Sequence, residues 1–433
     1  MVKRLSLGLL TLCLLAGCAG RQSLQQVVDT NEVKRILHAL AADDMQGRAA
    51  FTSGAERAAD FIAAEFTKIG LHPFTDESDF RQTFSVVQIR PATWEVTFDG
   101  VEIPKDRIIV SSNRPGVNWN TDPDVSLIQI QAGDDFAQRF RDAATAGKDA
   151  IVVIDTSFAN LFNRYRGFLM RERVNQEHNH TPSLVYVLAN DIPTSFRVAF
   201  TNTIEKQPLF NVVGMLPGKS NPHEYVIFSA HYDHIGILDA VGQDSIANGA
   251  DDDASGVSAV ISLANYYKNR DDNARTLLFV AFTAEEIGLI GSKYFSTQID
   301  PEEVVAMINI EMIGKDARFG PNSLYVTGYD QSNLAKIMQQ NVENTDFTFH
   351  PDPYPTQNLF YRSDNASLAA VGVPAHTFAT VQIDQDQYYH TVKDEVETLA
   401  IENIVASIRA IALGAKSIVS GEDTPTRVLK LEQ

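Results

Sequence analysis

Cysteine is almost missing from this sequence: the 433 residues contain two, Cys13 and Cys18, and none follows. The body of the protein therefore has neither disulfides nor thiolate metal sites, and any metal it holds must be bound through nitrogen and oxygen. Long apolar runs are missing too. Leu5–Leu15 follows Lys3 and Arg4 and is too short to span a bilayer, which is the layout of a signal peptide. Positive charge is scarce: 36 Lys and Arg stand against 55 Asp and Glu, a formal net charge of -19. A surface of that sign repels phosphate backbones and anionic headgroups, so no nucleic-acid partner is expected. Beyond the first twenty residues there is no low-complexity tract or internal repeat, which argues against disordered and solenoid architectures.

What is present reads as a globular protein, 44% hydrophobic and 21% charged, long enough for one large α/β domain with a second domain inserted or appended. The leading apolar run ends in Leu15-Ala16-Gly17-Cys18, which resembles the bacterial lipobox. That implies removal of residues 1–17, Cys13 with them, and a lipid on Cys18. The protein is then expected in the cell envelope, held to a membrane by its lipid. In a Gram-negative cell this means the outer membrane or the periplasm-facing side, since Ala19 is not an aspartate-type retention signal.

Residues 18–84 hold two helical patterns, Val33, Ile36, Leu37, Leu40 and then Ala58, Ile62, Phe66, Ile69. Thr52 or Ser53 is placed to cap the second helix and Gly70 to end it. Residues 85–205 change to short alternating runs such as Trp94-Glu95-Val96-Thr97-Phe98, broken by Asp99-Gly100, and read as an inserted small β-rich domain. His178, Asn179 and His180 lie there among polar neighbours and read as an exposed loop. From 206 to 433 the pattern is strand, loop, helix, repeated. Strands are expected at 225–230, 276–282, 304–310, 324–326 and 375–379, with helices at 256–267, near 334–342 and at about 401–418. This alternation predicts an α/β fold with a mostly parallel mixed sheet and helices on both faces, whose ligands bind beyond the carboxyl ends of the strands.

The acids and histidines fall at those ends. His231 and Asp233 follow the first strand of this half, Asp251, Asp252 and Asp253 precede the next helix, and Glu285 and Glu286 end the second strand. Glu311 ends the third, and His390 follows the last. Taken alone, the Asp run suits a solvated helix N-terminus and the Glu pair an exposed turn. Gathered at one sheet edge, such like charges cost several kcal/mol per uncompensated pair, on the order expected at low dielectric, unless cations sit among them. Two divalent ions meet that need. A sulfur-free set of imidazoles and carboxylates suits zinc first, with cobalt or manganese as substitutes. His376 inside an apolar strand reads as a core histidine, and His234 as a loop residue close to the site without being a ligand.

These strings resemble the metal-dependent exopeptidase family of bacterial leucyl aminopeptidases, glutamate carboxypeptidases and glutaminyl cyclases. The matching segments are AHYDHIG at 230–236, NGADDDASG at 248–256, AFTAEEIGLIGS at 281–292, NIEMIG at 309–314 and YHTVKDEVE at 389–397. GRAAFTSGAERAADFIAAEF at 47–66 is similar to the family's N-terminal helices. SDNASLAAVGVPA at 363–375 is similar to a late loop, with Asn365 where the family usually has His. The insert stands where many members carry a protease-associated domain. The resemblance implies that Asp252 bridges two zinc ions, with Glu286 and His390 completing one site and His231 and Glu311 the other. It also implies a cis peptide between Asp252 and Asp253, an Asp233 carboxylate that receives the second ring N–H of His231, and Glu285 as general base toward a water held between the ions. Glu311 departs from the Asp that many members use.

The activity implied is removal of N-terminal residues from peptide substrates. Carboxypeptidase or dipeptidase action, glutaminyl cyclisation at a single zinc, and a receptor-like module that lost catalysis are the alternatives. The complete ligand set, and Tyr389 in place of a Trp beside His390, lean away from the cyclase.

Overall fold

The computed structural model describes residues 28–74, 79–121, 124–175 and 181–431. The expected signal peptide, Cys18 and the 178–180 cluster lie outside them.

At the centre of a large mixed sheet are four parallel strands, Arg275–Phe282, Asn221–His231, Val304–Glu311 and Ala375–Ala379. Antiparallel neighbours extend it on both sides: Ser323–Val326 beyond 375–379, and Phe196–Leu216 beyond 275–282. The central strands are almost continuously apolar because both of their faces are covered. Alternate residues sort to opposite faces. Val226, Phe228, Ala230, Leu277, Phe279, Ala281, Ala306, Ile308 and Ile310 pack with the helices Thr30–Leu40, Ser53–Ile69, Gly256–Arg270 and Ile401–Gly414. Ile227, Leu278, Val280, Phe282 and Met307 face the shorter helices Ile290–Ser296 and Asn365–Ala369.

Local chemistry sets the helix ends that place the site. Thr52 Oγ1 accepts the Ala55 N–H at 3.4 Å, and Gly70 takes φ 80° and returns its N–H to Phe66 and Thr67, as the sequence predicts. Asp29 caps the first helix by accepting from Asn31 at 2.8 Å.

The insert is less purely β than its sequence suggests. It has a four-stranded sheet, ordered 108–111, 184–188, 150–154, 126–130, but also the helices Phe136–Thr145 and Ala159–Leu169. Aromatic residues such as Phe136, Phe140 and Tyr165 pack those helices onto the sheet. The strands Arg81–Phe98 and Phe196–Leu216 pair along almost their whole length, beginning in the main sheet and ending in the insert. No helix among the described residues is long and apolar enough to cross a membrane.

Candidate metal centre

The carboxyl ends of the parallel strands deliver the site. His231 is the last residue of its strand and is 1% exposed. Its Nε2 lies 3.2 Å from Asp252 Oδ1 and 3.1 Å from Glu311 Oε1. On the other side of Asp252, His390 Nε2 lies 3.3 Å from Oδ2 and 2.9 Å from Glu286 Oε2. The two oxygens of one carboxylate thus face two separate donor groups, and within each group the donor atoms lie within 4.8 Å of one another. His390 Nε2 is buried and close to two carboxylates yet has no hydrogen-bond geometry to either, the pattern of a nitrogen aimed at a shared ion. Three imidazoles and three carboxylates without sulfur fit divalent zinc.

The Asp252 turn is built to aim that side chain. Asp251 and Asp253 face inward: Asp251 Oδ1 accepts from Gly314 N at 2.7 Å, and Asp253 Oδ1 accepts from Gly256 N and Met312 N at 3.1 Å. Asp394 accepts the N–H groups of Asp251 and Asp252 at 3.0 Å. Gly249 has φ 56°, and a Cβ there would lie 2.3 Å from Asp252 O and 2.6 Å from the His234 ring, so only glycine fits. The Asp252–Asp253 peptide is cis. Burial raises Asp252, but His234, His231 and His390 more than offset it and hold this carboxylate well below the usual range.

Glu285 and Glu286 follow Ala284, which has a positive φ of 56°, uncommon for a residue with a Cβ; Met312 after Glu311 (47°) and His390 itself (56°) share the feature. The bend separates the adjacent glutamates. Glu286 turns to His234 and His390, while Glu285 belongs to neither donor group and lines a cleft of about 510 Å³ together with Asp252, Glu286 and Glu311. Burial pushes the Glu285 carboxyl well above its ordinary range; nearby His231 opposes this, and Glu311, Asp364 and Glu286 add to it.

Two placements differ from the sequence reading. The Nδ1 of His231 meets the main-chain carbonyl of Asp233 at 3.0 Å, while the Asp233 carboxylate is 3.9 Å away. That carboxylate, fully buried and pushed up to about 6 chiefly by burial, instead accepts the N–H groups of Glu285 at 3.0 Å and Glu286 at 3.3 Å. The shape of the turn explains the exchange, since the carbonyl reaches the ring and frees the side chain to fix the glutamates. His234 enters the site: its Nδ1 lies 2.7 Å from Glu286 Oε1 and 3.7 Å from Asp252 Oδ2, making it a further donor beside His390.

Residues 211–414, which carry every one of these ligands, match the family model described as peptidase family M28. That match covers a little under half of the chain. Aminopeptidase YwaD of Bacillus subtilis (strain 168) is 24% identical over 240 residues, 54% of this chain and 49% of the relative. A probable zinc metalloprotease of Pyrenophora teres f. teres (strain 0-1) is 36% identical over 107 residues, 24% of this chain and 22% of the relative. The chain thus spans half or less of the length of these curated relatives. Among solved structures, an aminopeptidase from Aneurinibacillus sp. strain AM-1 aligns with a TM-score of 0.57 at 17% identity, covering 94% of this chain and 97% of that one. A peptidase M28 precursor from Shewanella amazonensis SB2B gives 0.53 at 16%, covering 95% and 97%. At such identities the likeness is one of fold.

Around these ligands lies a supporting layer that sequence reasoning missed. Ser363 Oγ donates to Glu311 Oε2 at 2.6 Å and accepts from Asn309 Nδ2 at 2.8 Å, and Asn309 in turn accepts from Ser229 Oγ at 2.8 Å. Arg48, 1% exposed, donates to the carbonyls of Leu40, Tyr232, Asn248 and Gly249 at 2.6–2.9 Å, tying the metal turn to the N-terminal helices. Asn365 donates to Phe360 O at 2.9 Å and accepts from Thr377 Oγ1 at 2.8 Å, a structural post. His376 is a core residue as its apolar context indicates, with Ser332 Oγ at 2.7 Å and Thr327 O at 2.8 Å on its two nitrogens.

Proposed function

We propose that this chain is a zinc aminopeptidase of peptidase family M28, whose centre holds two ions and removes N-terminal residues from peptides. The observation that carries the reading is the pair of donor groups sharing Asp252, with Glu285 free beside them at the cleft. His231, Glu311 and one Asp252 oxygen would hold one ion. Glu286, His390 and the other Asp252 oxygen would hold the second, with His234 as an added donor; cobalt or manganese suits the same atoms. Zinc bound there supplies Lewis acidity and lowers the pKa of water from about 15.7 toward about 7. Glu285 takes the proton from the attacking water and returns it to the leaving amine. Asp233 fixes the direction of Glu285 through its main-chain N–H. That the Bacillus subtilis relative YwaD is an aminopeptidase supports the choice of N-terminal cleavage.

Metal analysis should give two zinc ions per chain, and leucine p-nitroanilide turnover should vanish with chelator and return with zinc. Cleavage of N-terminally blocked peptides at the rate of free ones, or turnover that ignores chelation, would sink the reading. We further propose that Cys18 carries a lipid that holds the enzyme in the cell envelope, on the lipobox-like tetrad alone. Mass spectrometry of the native protein should find residues 1–17 removed and Cys18 acylated; an unmodified Cys18 refutes it.

A further inference from the structure

Away from the ligands, the cleft wall has charges of its own. Asp384 and Asp386 line it, and each already has a cation: Arg318 Nη1 lies 3.3 Å from Asp384 Oδ2, and Lys315 Nζ lies 3.0 and 2.9 Å from the two oxygens of Asp386. Lys315 also sits 3.6 Å from Asp251 Oδ2 and is committed to the metal turn. Arg362 lines the same cleft, exposed, and among the described residues its guanidinium has no ion-pair or hydrogen-bond partner. Its main chain is fixed: the Arg362 N–H bonds Leu359 O at 3.1 Å, and the next residue, Ser363, holds Glu311. In a chain with 55 acids against 36 Lys and Arg, and in a cleft lined by six carboxylates, this cation is left without a mate among the described residues.

The cleft wall therefore carries charges of both signs. The carboxylate-rich metal side suits the ammonium group of a peptide N-terminus, and Arg362 suits an anion farther along. We propose that Arg362 binds a carboxylate on the leaving-group side of the substrate and makes short or acidic peptides the preferred class. This rests on the aminopeptidase reading above, and the carboxylate is either the C-terminus of a dipeptide or the side chain of an Asp or Glu after the scissile bond. Guanidinium–carboxylate pairing is directional and charge-assisted, and for an arginine exposed on the cleft wall it is expected to give about a 3- to 10-fold preference.

The test compares Leu-Gly, Leu-Gly amide and Leu-Glu amide on the zinc-loaded full chain, with leucine p-nitroanilide as an uncharged reporter. Wild type should favour Leu-Gly over its amide by about 3- to 10-fold in kcat/KM, carried by KM. Arg362→Gln should bring the ratio close to one and Arg362→Glu should invert it. Each ratio compares two substrates on one protein, so a partial folding defect cancels. A preference that appears for Leu-Glu amide over Leu-Gly amide, and not for Leu-Gly, assigns the side chain as the carboxylate. Calorimetry on Glu285→Gln protein reads binding of Leu-Gly and its amide without turnover. Reporter turnover with no carboxylate preference overturns the inference and leaves the aminopeptidase standing. Carboxylate-selective binding that depends on Arg362, with no turnover of anything, keeps Arg362 and sinks the aminopeptidase. Binding that ignores both the carboxylate and Arg362 overturns the inference outright.

Discussion

Ser363→Ala isolates one strut of the metal centre. The hydroxyl spans two partners, donating to Glu311 Oε2 at 2.6 Å and accepting from Asn309 Nδ2 at 2.8 Å. Its removal does not orphan Asn309, whose Nδ2 keeps Thr377 Oγ1 at 3.1 Å. The loss therefore falls on Glu311, whose carboxylate gives up a charge-assisted bond worth about 1.5–3 kcal/mol. Partners of this kind are worth roughly 10- to 100-fold in metal affinity, or about 1.4–2.7 kcal/mol, so two independent estimates agree. Because Glu311 belongs to the His231 group and Glu286 to the other, the loss should be confined to one ion. Zinc titration of stripped protein against a competing chelator should show two steps in wild type. In Ser363→Ala one step should shift by about 10- to 100-fold while the other stays within about 3-fold. Equal shifts in both steps, or no shift in either, would refute the assignment of Glu311 to a separate ion.

Glu285→Gln should leave both ions bound and cut kcat by a factor on the order of 10²–10⁴, whereas Glu286→Gln should lose metal first and recover part of its activity in excess zinc. Metal content and kcat for both variants decide this, and the reverse pattern would exchange the two roles. His376 supplies a pH effect on stability. Burial lowers its pKa to about 4 in the folded chain, against about 6.5 unfolded, so the unfolded state binds the extra proton first and stability falls as pH drops from about 6.5 to about 4. The full loss is about 3 kcal/mol; urea unfolding of wild type and His376→Asn across that window should show a shallower slope in the variant, and equal slopes would contradict it.

The parts of the site that could be read from sequence were those fixed by chain direction. His231, Glu285, Glu286 and Glu311 follow parallel strands, so strand polarity alone sends them to one edge. What escaped was decided by torsion angles and burial. Nothing in His-Tyr-Asp-His reveals that the Asp233 carbonyl takes the His231 ring while its carboxylate holds Glu285, or that His234 swings to Glu286. The left-handed backbone at Ala284, Met312 and His390 occurs at residues that carry no signal for it. Arg48 looks like a loop cation in Gly-Arg-Ala-Ala, and only the folded chain surrounds it with carbonyls. In the insert, strand-like alternation hid two helices whose polar faces break the apolar pattern.

The paired strands 81–98 and 196–216 give the insert a mechanical part. A domain hung on loops can swing, but a shared ladder transmits torsion. Near its inner end the buried Asn211 donates to Gln82 Oε1 at 2.9 Å and to Gly291 O at 3.0 Å, and accepts the N–H of Thr283 at 3.2 Å, two residues before Glu285. A twist of the far sheet would reach the turn that carries Glu285 through this ladder.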